Sequence, residues 1–229
     1  MNINSQTIDF RKVRKLLDSG RSVIIFIRHS ERPEICVNDR DFGITLGLTD
    51  NGIAMAREVG SHFKGIQDVT FFSSPMDRCR LTARYLAEGM GINQPQVSDT
   101  PEIGIEGFYM HPDRHSLQAL MKKHGYMEYM QSYLNKGTAP YLNPIKKATV
   151  ETIGWMRGVT DSKLSFFVSH DIYITAFITA LGIRKFKGDD WIGFLHSAVL
   201  SFDKQDDDAT FYHAVPCLKQ HGTPACFSQ

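Results

Sequence analysis

Apolar residues in this chain fall into two kinds of run. Val23–Ile27, Val69–Phe72 and Leu164–Val168 are short and almost unbroken, with many β-branched and aromatic residues, as in strands buried on both faces. Elsewhere the apolar positions recur at helical spacing. Ile8–Leu17 predicts a short amphipathic helix that stops at Ser19-Gly20, and Ile53, Ala56, Val59 and Phe63 define a helix opened by Thr49-Asp50. Ser74, Pro75 and Asp77 predict a helix start with Ser74 as its cap, running to about Gly89. Val150, Ile153 and Met156 mark a helix over 145–159. Ile172–Leu181 is apolar nearly all round and ends at Gly182, which predicts a helix buried against a sheet. Ser197–Asp203 and Ala209–Val215 read as two further strands, a hairpin at the sheet edge turned by Lys204–Asp208.

The strands alternate with helices, so the expected class is α/β, a single domain over 1–229. The stretch 99–160 interrupts the alternation. It is rich in His, Met and Tyr and carries one helical set at Leu117, Leu120 and Met121 and another at Tyr126, Met130, Tyr133 and Leu134, broken at Gly125. Such stripes are usually core, and the segment is expected to be a small helical cap insertion.

The strand ends change the picture. Val23–Ile27 runs straight into Arg28, His29, Ser30, Glu31 and Arg32; the second strand is followed by Arg78 in the first turn of a helix; the third ends in Ser169-His170-Asp171. Ligands of open α/β sheets gather outside the carboxyl ends of strands, and convergent guanidinium groups with a helix N-terminus suit a phosphoryl group. His111 and His115 raise a metal reading, but Pro112 weakens a shared helix and the glutamate of an H-E-x-x-H site is missing, so no metal is expected.

Composition narrows the function classes. A net charge of +1 over 229 residues, 22% of them charged, provides no global field for nucleic acid. No apolar run is long enough to cross a bilayer, and the first residues lack a signal-peptide core, so a cytoplasmic location is expected with no membrane partner. Cys36, Cys79, Cys217 and Cys226 are expected as free thiols, although the last two are close enough in sequence to close a small loop. A cysteine phosphatase loop and a P-loop are both absent.

Taken together, R-H-S-E-R-P, S-S-P-x-x-R-C-x-x-T-A and V-S-H-D resemble the histidine phosphatase superfamily, which includes phosphoglycerate mutases, small-molecule phosphatases, acid phosphatases and phytases. The resemblance implies a three-layer α/β/α fold with a mostly parallel central sheet, and hydrolysis of a small phosphorylated substrate without cofactor. It implies that His29 is the nucleophile, that Arg28, Arg78 and His170 cage the phosphoryl oxygens, and that Arg32 is an additional arginine of the acid-phosphatase branch. Ser30 stands where glycine is common, and is expected to offer its N–H and hydroxyl to phosphate. His170 is expected to act protonated. The proton donor is Asp171, Glu102 or Glu106. Asp171 is the first choice because it follows the second histidine as in the phytase-like branch, whereas the mutase-like branch uses a glutamate where Glu102 and Glu106 lie. A phosphoglycerate-type mutase and a non-catalytic binder of phosphorylated ligands are the alternatives.

Overall fold

The computed structural model describes residues 2–35, 43, 45–111, 113, 115–203 and 209–218. The elements run β1 (Asn2–Asp9), α1 (Phe10–Asp18), β2 (Ser22–Arg28), α2 (Asp50–Ser61), β3 (Val69–Ser73), α3 (Asp77–Met90) and β4 (Val97–Asp99). After a single 3₁₀ turn at Pro101–Ile103 come α4 (His115–His124), α5 (Tyr126–Lys136), α6 (Ile145–Val159), β5 (Leu164–Ser169), α7 (Asp171–Ala180), β6 (Ser197–Phe202) and β7 (Ala209–Val215).

The seven strands of the described residues form one sheet in the order β1-β7-β6-β2-β5-β3-β4. Four of the six pairings are parallel, and β6 alone runs against both its neighbours. The apolar run of β2 explains its central place: Val23, Ile25 and Ile27 face one side, Ile24 and Phe26 the other, and each set enters its own core. The first core is closed by α1, α2 and α3 through Phe10, Val59 and Leu86, with Phe63 from the turn after α2, the second by α5, α6 and α7 through Met130, Tyr133, Met156, Ile174 and Phe177. The sheet is therefore the middle of three layers.

Three expectations are corrected. The β6–β7 pair is antiparallel as expected, but it does not form the edge: β1 pairs in parallel with β7 outside it. The β1 sequence NINSQTID has no apolar run to announce a strand, and its partner is more than 200 residues away, beyond any local signal. The first helix begins at Phe10, because the Asp9 carboxylate accepts the Lys12 N–H at 2.9 Å and caps it there. The helix after β3 begins at Asp77 with Met76 in the cap position, and no side chain caps it. Ser74 is used elsewhere, as shown below. The turn at Lys204–Asp208 lies outside the described residues.

Candidate active site

Strands β2, β5 and β3 lie side by side and parallel, so their carboxyl ends reach one edge together. Arg28 is in register with Ser169, and Ser73 with Val168. The residue after each strand is thereby brought to the same place: His29 donates its N–H to Ser169 O at 2.8 Å, and Ser74 donates to Val168 O at 2.9 Å. The His29 and His170 rings meet edge to face with centroids 5.6 Å apart. Helix α3 then delivers Arg78. Arg28, His29, Arg78 and His170 are all buried, none more than 7% exposed.

The loop after His29 is fixed by hydrogen bonds that the sequence does not announce. Ser30 donates its N–H to Thr82 Oγ1 at 2.9 Å and its hydroxyl to Gly52 O at 2.6 Å, while the Thr82 hydroxyl donates to Arg78 O at 2.7 Å. The expectation that Ser30 offers these groups to phosphate is thus corrected, since the protein itself occupies them. Glu31 accepts from the Thr49 hydroxyl at 2.6 Å and the Asn51 amide at 2.9 Å, and so ties the loop to the start of α2. The close approach requires glycine at 52, where a Cβ would lie 2.1 Å from Glu31 O.

These contacts decide the state of both imidazoles. His29 Nδ1 lies 2.8 Å from Ser30 O, a group that can only accept, so Nδ1 carries the proton and Nε2 keeps its lone pair. Burial, reinforced by Arg28, His170 and Arg78, holds the His29 pKa well below the usual histidine value, so the ring is neutral. For His170, Nδ1 lies 3.3 Å from Arg78 Nη2, which can only donate, so the proton is on Nε2 and is donated to Ser74 Oγ at 2.9 Å. Burial first, and then Arg78, push the His170 pKa down. The expected protonated His170 is therefore corrected: the free protein holds it neutral.

Three guanidinium groups converge here. Arg28 donates to Ile192 O and lies over the Phe194 ring at 4.2 Å, Arg78 donates to Gly43 O at 2.6 Å, and the half-buried Arg32 donates to Pro33 O at 2.7 Å. Each of the three has a buried Nε–H with no hydrogen-bond partner among the described residues. Burial, then Arg78 and Arg28, lower the Arg32 pKa. Asp171 faces this group with Oδ2 4.0 Å from Arg28 Nη2, but it is also engaged by the Trp191 indole N–H at 3.0 Å and by Ile172 N–H at 3.0 Å. Burial raises its pKa, yet Arg28 and these donors outweigh that and hold it below the usual aspartate value, as a carboxylate. His170 is the N-cap residue of α7 and Asp171 its first helical residue.

Glu102 and Glu106 are exposed, on a loop pinned to the floor of the site: Ser169 Oγ donates to Ile103 O at 2.5 Å, and a Cβ on Gly104 would lie 2.9 Å from Ser74 Oγ. His111 is exposed, and no cluster of three or more potential metal ligands occurs among the described residues. Sequence reasoning missed Trp191 and Phe194, which lie on the connection to β6 where no periodicity or motif points to the site. Thr82 stood inside the quoted motif without a role.

No helix among the described residues is long and apolar enough to cross a membrane. A search of curated protein sequences returned no match. Solved structures share the fold. Phosphoglycerate mutase from Bacillus anthracis str. Sterne aligns at 12% identity over 80% of this chain and 88% of that one, with TM-score 0.50. YhfR of Bacillus stearothermophilus aligns at 12% identity over 84% and 95%, with TM-score 0.53. A mycobacterial glucosyl-3-phosphoglycerate phosphatase aligns at 14% identity over 84% and 97%, with TM-score 0.52. The profile of the histidine phosphatase superfamily, branch 1, matches residues 24–184, from within β2 through α7 and just beyond, and by that match this chain belongs to the histidine phosphatase superfamily.

Proposed function

We propose that this protein is a phosphatase that hydrolyses a small phosphomonoester through a phosphohistidine on His29, without a metal ion. The observation that carries the reading is the set of three buried Nε–H donors, on Arg28, Arg32 and Arg78, without acceptors among the described residues, beside a neutral imidazole whose Nε2 keeps its lone pair. An anion with several acceptor oxygens completes those donors, and three guanidiniums against the Asp171 carboxylate leave the site charged to receive it. Phosphoryl transfer asks chiefly for such positioning and charge neutralisation.

His29 Nε2 attacks phosphorus as the bond to the leaving oxygen breaks, and the leaving alkoxide takes a proton from a carboxylic acid. A water molecule then attacks the phosphorus of phosphohistidine, giving its proton to the resulting carboxylate, and the N–P bond breaks to release inorganic phosphate. His170, neutral in the free protein with its Nε2–H on Ser74 Oγ, becomes more basic once the anion is bound beside it. For the acid, we assign Glu102 in place of Asp171. Asp171 is held as a carboxylate by Arg28, Trp191 and its own helix, which suits an anchor for Arg28, whereas the Glu102 loop abuts Ser74 and Ser169.

The test is turnover of phenyl phosphate in EDTA by the wild type, His29→Ala, Asp171→Asn and Glu102→Gln. His29→Ala is expected to abolish it. Glu102→Gln is expected to slow esters with poor leaving groups far more than activated ones, and Asp171→Asn to slow both alike. Full activity in His29→Ala would overturn the mechanism; a leaving-group dependence in Asp171→Asn alone would return the acid to Asp171.

A further inference from the structure

The walls of this site differ in chemistry. On the cage side stand the buried guanidiniums. On the Asp171 side stand aromatic rings that are partly open to solvent. The Phe194 ring lies 5.8 Å from the His29 ring. The Trp191 indole donates to Asp171 Oδ2 at 3.0 Å, and the Tyr126 ring meets the Trp191 ring at 6.5 Å edge to face. Tyr126 is 36% exposed, and Trp191 and Phe194 are only partly buried. Two of the three rings come from the connection 185–196, beyond the region matched by the superfamily profile.

We infer that this aromatic wall holds the leaving group, and that the substrates are phosphomonoesters of flat, uncharged, unsaturated alcohols such as aryl alcohols. The inference rests on the phosphatase reading above and adds the substrate class. Rings present extended apolar faces and edges that stack on a planar group, and they offer little to an aliphatic polyol. The Asp171 carboxylate among them disfavours a leaving group with its own negative charge, such as a glycerate. Lys146 and Lys147 are exposed on α6, where Lys147 pairs with Glu151 at 3.9 Å.

The experiment compares kcat/KM for phenyl phosphate, for an alkyl phosphate fluorinated to the same leaving-group acidity, and for 3-phosphoglycerate, in the wild type and in Tyr126→Ala and Tyr126→Phe. Matching the acidity removes chemical reactivity from the comparison. The aryl ester is expected to lead the matched alkyl ester by about tenfold, the order that two ring contacts provide. Tyr126→Phe, which keeps the ring and loses the hydroxyl, is expected to retain that ratio, and Tyr126→Ala to reduce it severalfold. Turnover with equal kcat/KM for aryl and alkyl esters, or preference for 3-phosphoglycerate, would overturn the inference and leave the phosphatase reading standing. An unchanged ratio in Tyr126→Ala would also overturn it. No turnover of any ester by the wild type would overturn the phosphatase reading itself.

Discussion

Mild acidification should destabilise this protein well before its carboxylates titrate. Four histidines, the buried His29, His170 and His213 and the partly buried His196, are held below the usual histidine pKa, each chiefly by desolvation; His196 is pushed down to about 3 and His213 to about 4. The sign follows from the shift. Below about pH 6.5 the unfolded chain takes up protons on these rings and the folded chain does not, so stability is complete above that pH and falls as the pH drops toward the native values. Between pH 7 and 5.5, linkage gives about 1.3 kcal/mol for each such ring. His196 and His213 alone therefore cost about 2.5 kcal/mol, and the four together have a ceiling of about 5 kcal/mol, comparable to the whole stability of many domains. Urea unfolding midpoints at the two pH values measure the loss. His213→Phe isolates one ring: His213 is 1% exposed, its neighbours are the Phe186 and His196 rings, and neither of its nitrogens has a hydrogen-bond partner among the described residues. The variant should retain the transition but lose about 1.3 kcal/mol of its pH dependence. Equal stability of the wild type at pH 7 and 5.5 would refute the reasoning, as would a full pH dependence in His213→Phe.

Other consequences can be measured separately. Gly52→Ala drives a Cβ into Glu31 O, 2.1 Å away, and should cost on the order of a hundredfold in kcat by displacing the loop that carries His29; wild-type kcat would remove Gly52 from the argument. Thr82→Val leaves the buried Ser30 N–H without its acceptor and should lower stability by about 1–3 kcal/mol in urea titration. Cys79, fully buried with its thiol pushed up to about 12 by burial, should resist an aryl disulfide reagent in the native protein, while the exposed Cys217 is labelled. Rapid native labelling of Cys79 would show that the floor beneath His170 opens.

What the sequence made legible follows from the range of each signal. The apolar runs of β2, β3 and β5 and the charged residues at their ends are local, and they led directly to Arg28, His29, Arg78 and His170. A strand such as β1, bare of apolar pattern and paired only through its backbone to the far end of the chain, carries no local sign. The same holds for Trp191 and Phe194, whose place beside Asp171 and His29 depends on how the connection to β6 folds back. Ser74 shows a different failure: a good capping residue just ahead of a proline was read by local rules, and its hydroxyl was taken by a histidine 96 positions away. The two protonation states were equally hidden, because burial and neighbouring guanidiniums set them.

The backbone around His29 is itself part of the sheet. Arg28 N–H bonds His196 O at 3.0 Å and His29 N–H bonds Ser169 O at 2.8 Å, extending the ladders of the central strand on both flanks. These amides can exchange with deuterium only when the middle of the sheet separates, which places them in the slowest, globally unfolding class. The backbone that carries His29 thus has no private motion of its own: heat should extinguish activity at the temperature where the whole sheet melts, with no earlier loss from a loosened loop.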